Sequence, residues 1–147
     1  MHTPTTYGYS NAWFVTSNYF FSFRVRACSE VRLLLTVEPY QNDPNNAQHI
    51  HEIVIGGWQN TRSVIYRDTT SNVSVADSKT PNILSCDEFR QFWIQWSANG
   101  AISVGQNALG TSEFLRYVDI EPHRIYGISI STGSGSTGEW LIPAENG

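Results

Sequence analysis

Residues 20–27 read FFSFRVRA, and residues 89–96 read FRQFWIQW. In the first stretch Phe21, Phe23, Val25 and Ala27 fall on one side and Ser22, Arg24 and Arg26 on the other. In the second, Phe92, Ile94 and Trp96 alternate with Trp93 and Gln95. A period of two is the mark of a strand with one face in a core. The same period continues outward along the chain. VRLLLTV sets Val31, Leu33, Leu35 and Val37 on one face, and HIHEIVI sets Ile53 and Ile55 together with Glu52 opposite. AISVG, FLRYVDI, RIYGISIS and EWLIP add four more candidate strands. Turn-rich segments separate them: PYQNDPNN, GGWQN, SANG and GSGSTG. Asn99-Gly100 in SANG suits a tight primed hairpin turn. DTTSNVSVADSKTPN reads as the longest connector. No window holds a helical period over three turns. Strands joined by short turns pair antiparallel, so the expected fold is all-β, an antiparallel two-sheet β-sandwich of jelly-roll type with about ten strands.

The chain has 147 residues, which suits a single domain, residues 1–147, with a sizeable core. Charged residues make up 15% and aromatic ones 13%, and the formal net charge is −4 with no Lys/Arg run. A nucleic-acid surface is therefore not expected. Nor is a membrane span, because no apolar run approaches about 18 residues. MHTPTTYGYS at the start lacks the basic and apolar blocks of a signal peptide. The sequon Asn72-Val73-Ser74 leans the other way, toward an extracellular setting. Cys28 and Cys86 allow one disulfide, and two ordinary buried thiols are the expectation.

Residues 133–138 spell G-x-G-x-x-G through Gly133, Gly135 and Gly138. A dinucleotide loop of that spacing needs a strand before it and a helix after it, whose free N–H groups hold the phosphates. RIYGISIS supplies a strand, but only EWLIPAENG follows, with no room for a crossover helix. The motif reads as a hairpin turn, and no cofactor is expected. His49 and His51 share a strand face without a third ligand, and YQNDPNN is thinly acidic for a calcium loop, so no metal is expected either. Asp87/Glu88 and Asp119/Glu121 read as solvated turn charges, and no catalytic residue is assigned.

Binding chemistry concentrates in GGWQNTRS. A sugar offers an apolar C–H face to an aromatic plane and a rim of hydroxyls to amide and guanidinium groups. Trp58, Gln59, Asn60, Arg62 and Ser63 supply those types, beside two glycines that permit unusual backbone angles. Trp93 and Gln95, if outward and exposed, would extend the site. Trp93, Tyr117 or Phe114, and Tyr126 on candidate outer faces point to a homodimer or higher oligomer.

The blocks IGGW-x-N-x-x-S and EFR-x-FWI-x-W, with FSFRVRA, GAISVG, FLRYVDIEP and GISISTGSGSTGEW in order, resemble the farnesoic acid O-methyltransferase-like domain family. The resemblance runs from about Phe21 to Ile142. It implies methyl transfer from S-adenosylmethionine to a sesquiterpenoid acid, or binding of such an acid. Gly133-Ser134-Gly135 departs from the Gly-Trp-Gly of relatives, so a contact made there by Trp would be missing. The order of strands is also similar in rhythm to galectins and other concanavalin-like sandwiches, which bind sugars on an outer sheet face. The leading expectation is a non-enzymatic, lectin-like module with a carbohydrate or glycoconjugate as partner. The alternative is a sesquiterpenoid-binding protein or enzyme.

Overall fold

The computed structural model describes residues 2–3, 13–15, 19–36, 49–67, 73–133 and 135–143. Within them lie twelve strands and one helical turn: β1 (His2–Thr3), β2 (Trp13–Val15), β3 (Phe20–Ala27), β4 (Val31–Thr36), β5 (His49–Gly56), α1 (Gly57–Asn60), β6 (Arg62–Arg67), β7 (Ser74–Lys79), β8 (Arg90–Trp96), β9 (Ala101–Gln106), β10 (Glu113–Val118), β11 (Gly127–Thr132) and β12 (Gly138–Leu141). They form two six-stranded sheets, ordered β1-β12-β3-β8-β9-β10 and β2-β11-β4-β5-β6-β7, called here sheets A and B. Every pairing is antiparallel.

The alternation in the sequence is the alternation in the sandwich. Phe21, Phe23, Val25 and Ala27 of β3 face Val31, Leu33, Leu35, Ile53 and Ile55 of sheet B across one shared core, together with Phe92, Ile94 and Trp96. Phe23 centres an aromatic cluster, with ring centroids 5.7 Å from Phe21, 5.8 Å from Phe92 and 5.3 Å from Trp140. The buried Trp140 indole N–H donates to Thr3 Oγ1 at 3.0 Å, so this large side chain enters the core without an unpaired donor.

Several local expectations are corrected. The connector DTTSNVSVADSKTPN contains a strand, β7, which pairs with β6 as the edge of sheet B. Its Ala76 packs on the core between Ser74 and Ser78 on the same face, while Val75 points outward, a pattern too thin in apolar residues to stand out. The SANG turn is a four-residue loop in which only Gly100 takes a positive φ, of 96°; Asn99 does not. Ser97 N–H donates to the Ala101 carbonyl and Gly100 N–H to the Ser97 carbonyl, closing the hairpin without a primed turn. The Gly-rich stretch is not a hairpin, because β11 lies in sheet B and β12 in sheet A, so it crosses between the sheets. Cys28 and Cys86 are joined in a disulfide, where free thiols were expected. The register that brings Ala27 N–H to the Ser85 carbonyl, at 3.0 Å, sets the two cysteines side by side. YQNDPNN, Val37 and Asn72 of the sequon lie outside the described residues.

Candidate functional site

Among the described residues, the link from β5 to β6 carries the longest run of unusual backbone. Gly56, Trp58, Gln59 and Asn60 all have positive φ, of 66°, 51°, 61° and 64°. The single helical turn α1 is thus left-handed at Trp58, Gln59 and Asn60. Glycine adopts this conformation freely, but an L-residue with a side chain costs about 1–2 kcal/mol each. Such a turn persists only if its surroundings hold it.

They do. The Asn60 side chain is clamped at both ends by one residue: its Nδ2 donates to the Leu84 carbonyl at 2.9 Å, and its Oδ1 accepts from Leu84 N–H at 3.0 Å. Asn82 N–H donates to the Asn60 carbonyl at 2.9 Å. Thr61 N–H closes the turn on the Gly57 carbonyl, and the Thr61 hydroxyl donates to the Trp58 carbonyl at 2.6 Å. Ser63 Oγ accepts from Gly56 N–H at 3.2 Å and shares a hydrogen bond of 2.7 Å with Thr80. Glu30 N–H donates to the Gly56 carbonyl at 2.8 Å. Three segments, 28–30, 57–61 and 80–86, therefore meet at one end of the sandwich, and the Cys28–Cys86 bond ties two of them covalently.

The product of that restraint is an indole held outward. Trp58 is 48% exposed, although large aromatics are usually buried. Arg62 lies over its ring, 4.7 Å from the centroid, and Arg62 Nε also donates to Asp77 Oδ1 at 3.1 Å. That ion pair holds the Asp77 carboxyl below its ordinary range. Trp58 and Gln59 form one wall of a cleft of about 270 Å3 on the outer side of sheet B, with Glu30, Arg32, Val54 and Tyr66. Arg32 sits between two carboxylates, 3.4 Å from Glu30 and 3.2 Å from Glu52. The cleft thus offers aromatic planes, an amide, a guanidinium and a carboxylate, the last two held in place by their own ion pairs.

Of the residues singled out in the sequence, Trp58, Gln59, Asn60 and Arg62 are brought together, but with divided roles. Trp58 and Gln59 face the cleft, while Asn60 and Arg62 shape the turn and brace the ring. Ser63 is fully buried and cannot meet a ligand; its hydroxyl is spent on Gly56 and Thr80. Trp93 and Gln95 are not part of this cleft, because β8 belongs to sheet A. Trp93 is only 2% exposed: its indole packs on Gly105, where a Cβ would lie 2.2 Å from the ring, and donates to the Thr111 carbonyl at 2.8 Å. Of the other aromatic residues expected to drive self-association, Phe114, Tyr117 and Tyr126 are partly buried. Phe114 meets Phe92 edge-on at 6.3 Å, Tyr117 meets His51 at 6.0 Å, and Arg124 covers Tyr126 at 4.9 Å. Glu30, Arg32 and Tyr66 were missed. Arg32 and Tyr66 are legible as outward positions on alternating strands, but their proximity depends on the register of β4, β5 and β6, which the sequence does not display.

The remaining motifs have structural explanations. A Cβ on Gly133 would lie 2.1 Å from Glu30 Oε2, so the glycine makes room for the carboxylate of the cleft. Gly135 has φ 82°. At the far end of β5, His51 lies between the sheets with its Nε2 3.3 Å from Asp119 Oδ2. Arg67 Nε reaches the same oxygen at 3.0 Å, and Glu121 N–H reaches Oδ1 at 2.9 Å. Burial lowers the His51 pKa to about 4, against the pull of Asp119, so the ring is neutral at pH 7. Asp119 is not the solvated turn charge expected: it is 2% exposed, and although burial opposes it, the Glu121 amide and Arg67 keep its carboxyl below the ordinary range. Among the described residues no three His, Cys, Asp or Glu side chains converge as a metal site requires.

The farnesoic acid O-methyl transferase family model matches residues 3–146, nearly the whole chain. The chain belongs to that family. Among curated proteins none matches it. Solved structures show the same architecture at low identity. One is a prokaryotic β-1,3-1,4-glucanase (lichenase) derived from a mouse hindgut metagenome, 14% identical with a TM-score of 0.53, covering 88% of this chain and 66% of its own. Another is described as a native glycosidic hydrolase, 12% identical with a TM-score of 0.54, covering 97% of this chain and 78% of its own. The chain therefore spans just under two thirds of the lichenase chain. At these identities the likeness establishes a shared β-sandwich fold.

Proposed function

We propose that this family member is a carbohydrate-binding module without catalytic activity, and that it holds a pyranose in the Trp58 cleft. The observation that carries the reading is the exposed indole fixed in a left-handed turn by the Leu84–Asn60 clamp. Strain of this kind is kept where a side chain must be presented in one orientation. The indole and Tyr66 supply apolar planes for the C–H face of a sugar, and Gln59, Arg32 and Glu30 supply the donors and acceptors for its hydroxyls. A cleft of about 270 Å3 suits one ring rather than a long polymer. The reading sets methyl transfer aside because Gly133 is accounted for by the approach of Glu30, and because the Gly-rich crossing leads to a strand rather than a helix N-terminus. The Cys28–Cys86 bond supports an oxidising, extracellular setting, where glycoconjugates are abundant.

A glycan array probed with purified protein tests the reading directly. The expected result is millimolar or tighter binding to a subset of neutral glycans, lost on replacing Trp58. Absence of binding to every glycan, with the fold intact by circular dichroism, overturns it.

A further inference from the structure

The opposite face of the sandwich carries a second cleft with different chemistry. On sheet A the side chains of Phe23 and Val25 point into the core, so Ser22 and Arg24 point outward. Leu141 of β12 and Gln91 of β8 are the cross-strand partners of Arg24 on either side. Together with Ser22, Ile142 and Pro143 they bound a cleft of about 440 Å3, larger than the one beside Trp58.

Arg24 is the exception among the arginines. Arg32, Arg62, Arg67, Arg90 and Arg116 each hold a carboxylate. Arg26 lies over Phe89 and Arg124 over Tyr126. Arg24, exposed in the cleft, has neither a carboxylate nor a ring among the described residues. A guanidinium presents a planar fork of N–H donors that matches a carboxylate two bonds at a time. Beside it, the Gln91 amide supplies hydrogen-bonding groups, while the half-exposed Leu141 and Pro143 supply an apolar wall. A ligand that uses all three has an acid group, hydroxyls and an apolar C–H face.

We propose that the Arg24 cleft is a second binding site, and that its ligand is a carboxylate-bearing sugar, a uronic acid within a saccharide. Arg24 takes the carboxylate, Gln91 the neighbouring hydroxyls, and Leu141 with Pro143 the apolar face of the ring. The two faces then differ in charge preference. The Trp58 cleft sets Arg32 against Glu30 and Glu52 and disfavours an added anion, whereas the Arg24 cleft selects for one.

The test is calorimetric titration of the intact protein with a short oligouronate, a neutral oligosaccharide of equal length and a short aliphatic carboxylate. The oligouronate binds wild-type protein and the Trp58→Gly variant alike, more weakly at higher ionic strength. Arg24→Gln weakens it about tenfold, as loss of an exposed charge-assisted pair implies, and leaves both the melting temperature and neutral-glycan binding unchanged. Unaltered uronate affinity in Arg24→Gln, or no uronate binding by the wild type, overturns the proposal. Equal binding of the aliphatic carboxylate overturns the assignment to a sugar. Neutral-glycan binding reports separately on the Trp58 cleft, so the two readings fail independently.

Discussion

Replacing Trp58 by glycine and by alanine separates presentation of the ring from stability. Both changes delete an indole that is 48% exposed, so each loses about half of the roughly 3–5 kcal/mol that truncating a buried Trp costs. Each also loses the Arg62 contact, worth about 0.5–1 kcal/mol at an exposed site. The backbone then distinguishes them. At φ 51° and ψ 55° alanine still pays the left-handed penalty of about 1–2 kcal/mol, and glycine does not. Glycine gives back about 0.5–1 kcal/mol through its freer unfolded chain. The net expectation is that Trp58→Gly is more stable than Trp58→Ala by about 0.5–1 kcal/mol, the reverse of the usual order. For a domain of this size that is about 1–4 °C in melting temperature. Calorimetric melts of the two variants read it, and titration with the best array glycan shows binding lost equally in both, because the stacking plane is gone. If alanine is the more stable variant, the turn is not strained at Trp58. If either variant still binds the glycan as the wild type does, the indole is not the sugar platform.

Asn60→Ala removes both bonds to Leu84 and is expected to lower stability by about 2–3 kcal/mol, with weaker glycan binding although Asn60 does not face the cleft; chemical denaturation and glycan titration check both. The double change Cys28→Ser, Cys86→Ser opens a loop with a sequence separation of 58 and should cost about 4 kcal/mol in the chain-entropy account, read as a lower denaturation midpoint. Stability should fall as pH drops from about 6.5 towards 4. His51 is neutral in the folded state with its pKa near 4, while the unfolded chain takes up the proton near 6.5, so acid favours unfolding by about 2 kcal/mol at pH 5. Asp119, held below its ordinary range, adds a further loss only below pH 4; His51→Leu should flatten the first part of the profile. Titration with S-adenosylmethionine should give no saturable heat, and a micromolar site would contradict the reading of the Gly-rich crossing.

The core was legible because period-two alternation in a sandwich maps directly onto burial: Phe21, Phe23, Val25, Ile53, Ile55, Phe92 and Ile94 were each placed correctly and are fully buried. The outer face of a strand is not uniformly open: on β8 Gln95 is exposed but Trp93 is not. Trp93 sits on that face and is covered all the same, because Gly105 opposite leaves room for the indole to lie flat. Two glycines before a Trp did signal unusual backbone angles, which Gly56 adopts, but the non-glycine residues Trp58, Gln59 and Asn60 adopt them too. Composition cannot predict that, since a left-handed Trp exists only where tertiary bonds enforce it. The partner that enforces it, Leu84, is 24 residues away from Asn60 and is an unremarked apolar residue in the sequence.

That distance also explains why the strained turn is sited where it is. A hairpin tip held only by its own strands would relax, since left-handed residues offer no gain of their own. Here the tip is fastened to the 80–86 segment by Leu84 and Asn82, and that segment is fastened to the start of the β3–β4 turn by the disulfide. The β3–β4 turn returns to the tip through Glu30 N–H and the Gly56 carbonyl, which closes a ring of restraints around the cleft. Glu30 belongs to that ring and also lines the cleft, so the carboxylate and the indole are set in a fixed mutual geometry before any ligand arrives. A sugar ring has weak intrinsic affinity for any one of these groups. It binds measurably only if the cost of ordering them has already been met in folding. On the proposed reading, restraint of the turn and binding in the cleft are one property of this end of the sandwich, and a change that loosens Leu84 from Asn60 should act on both.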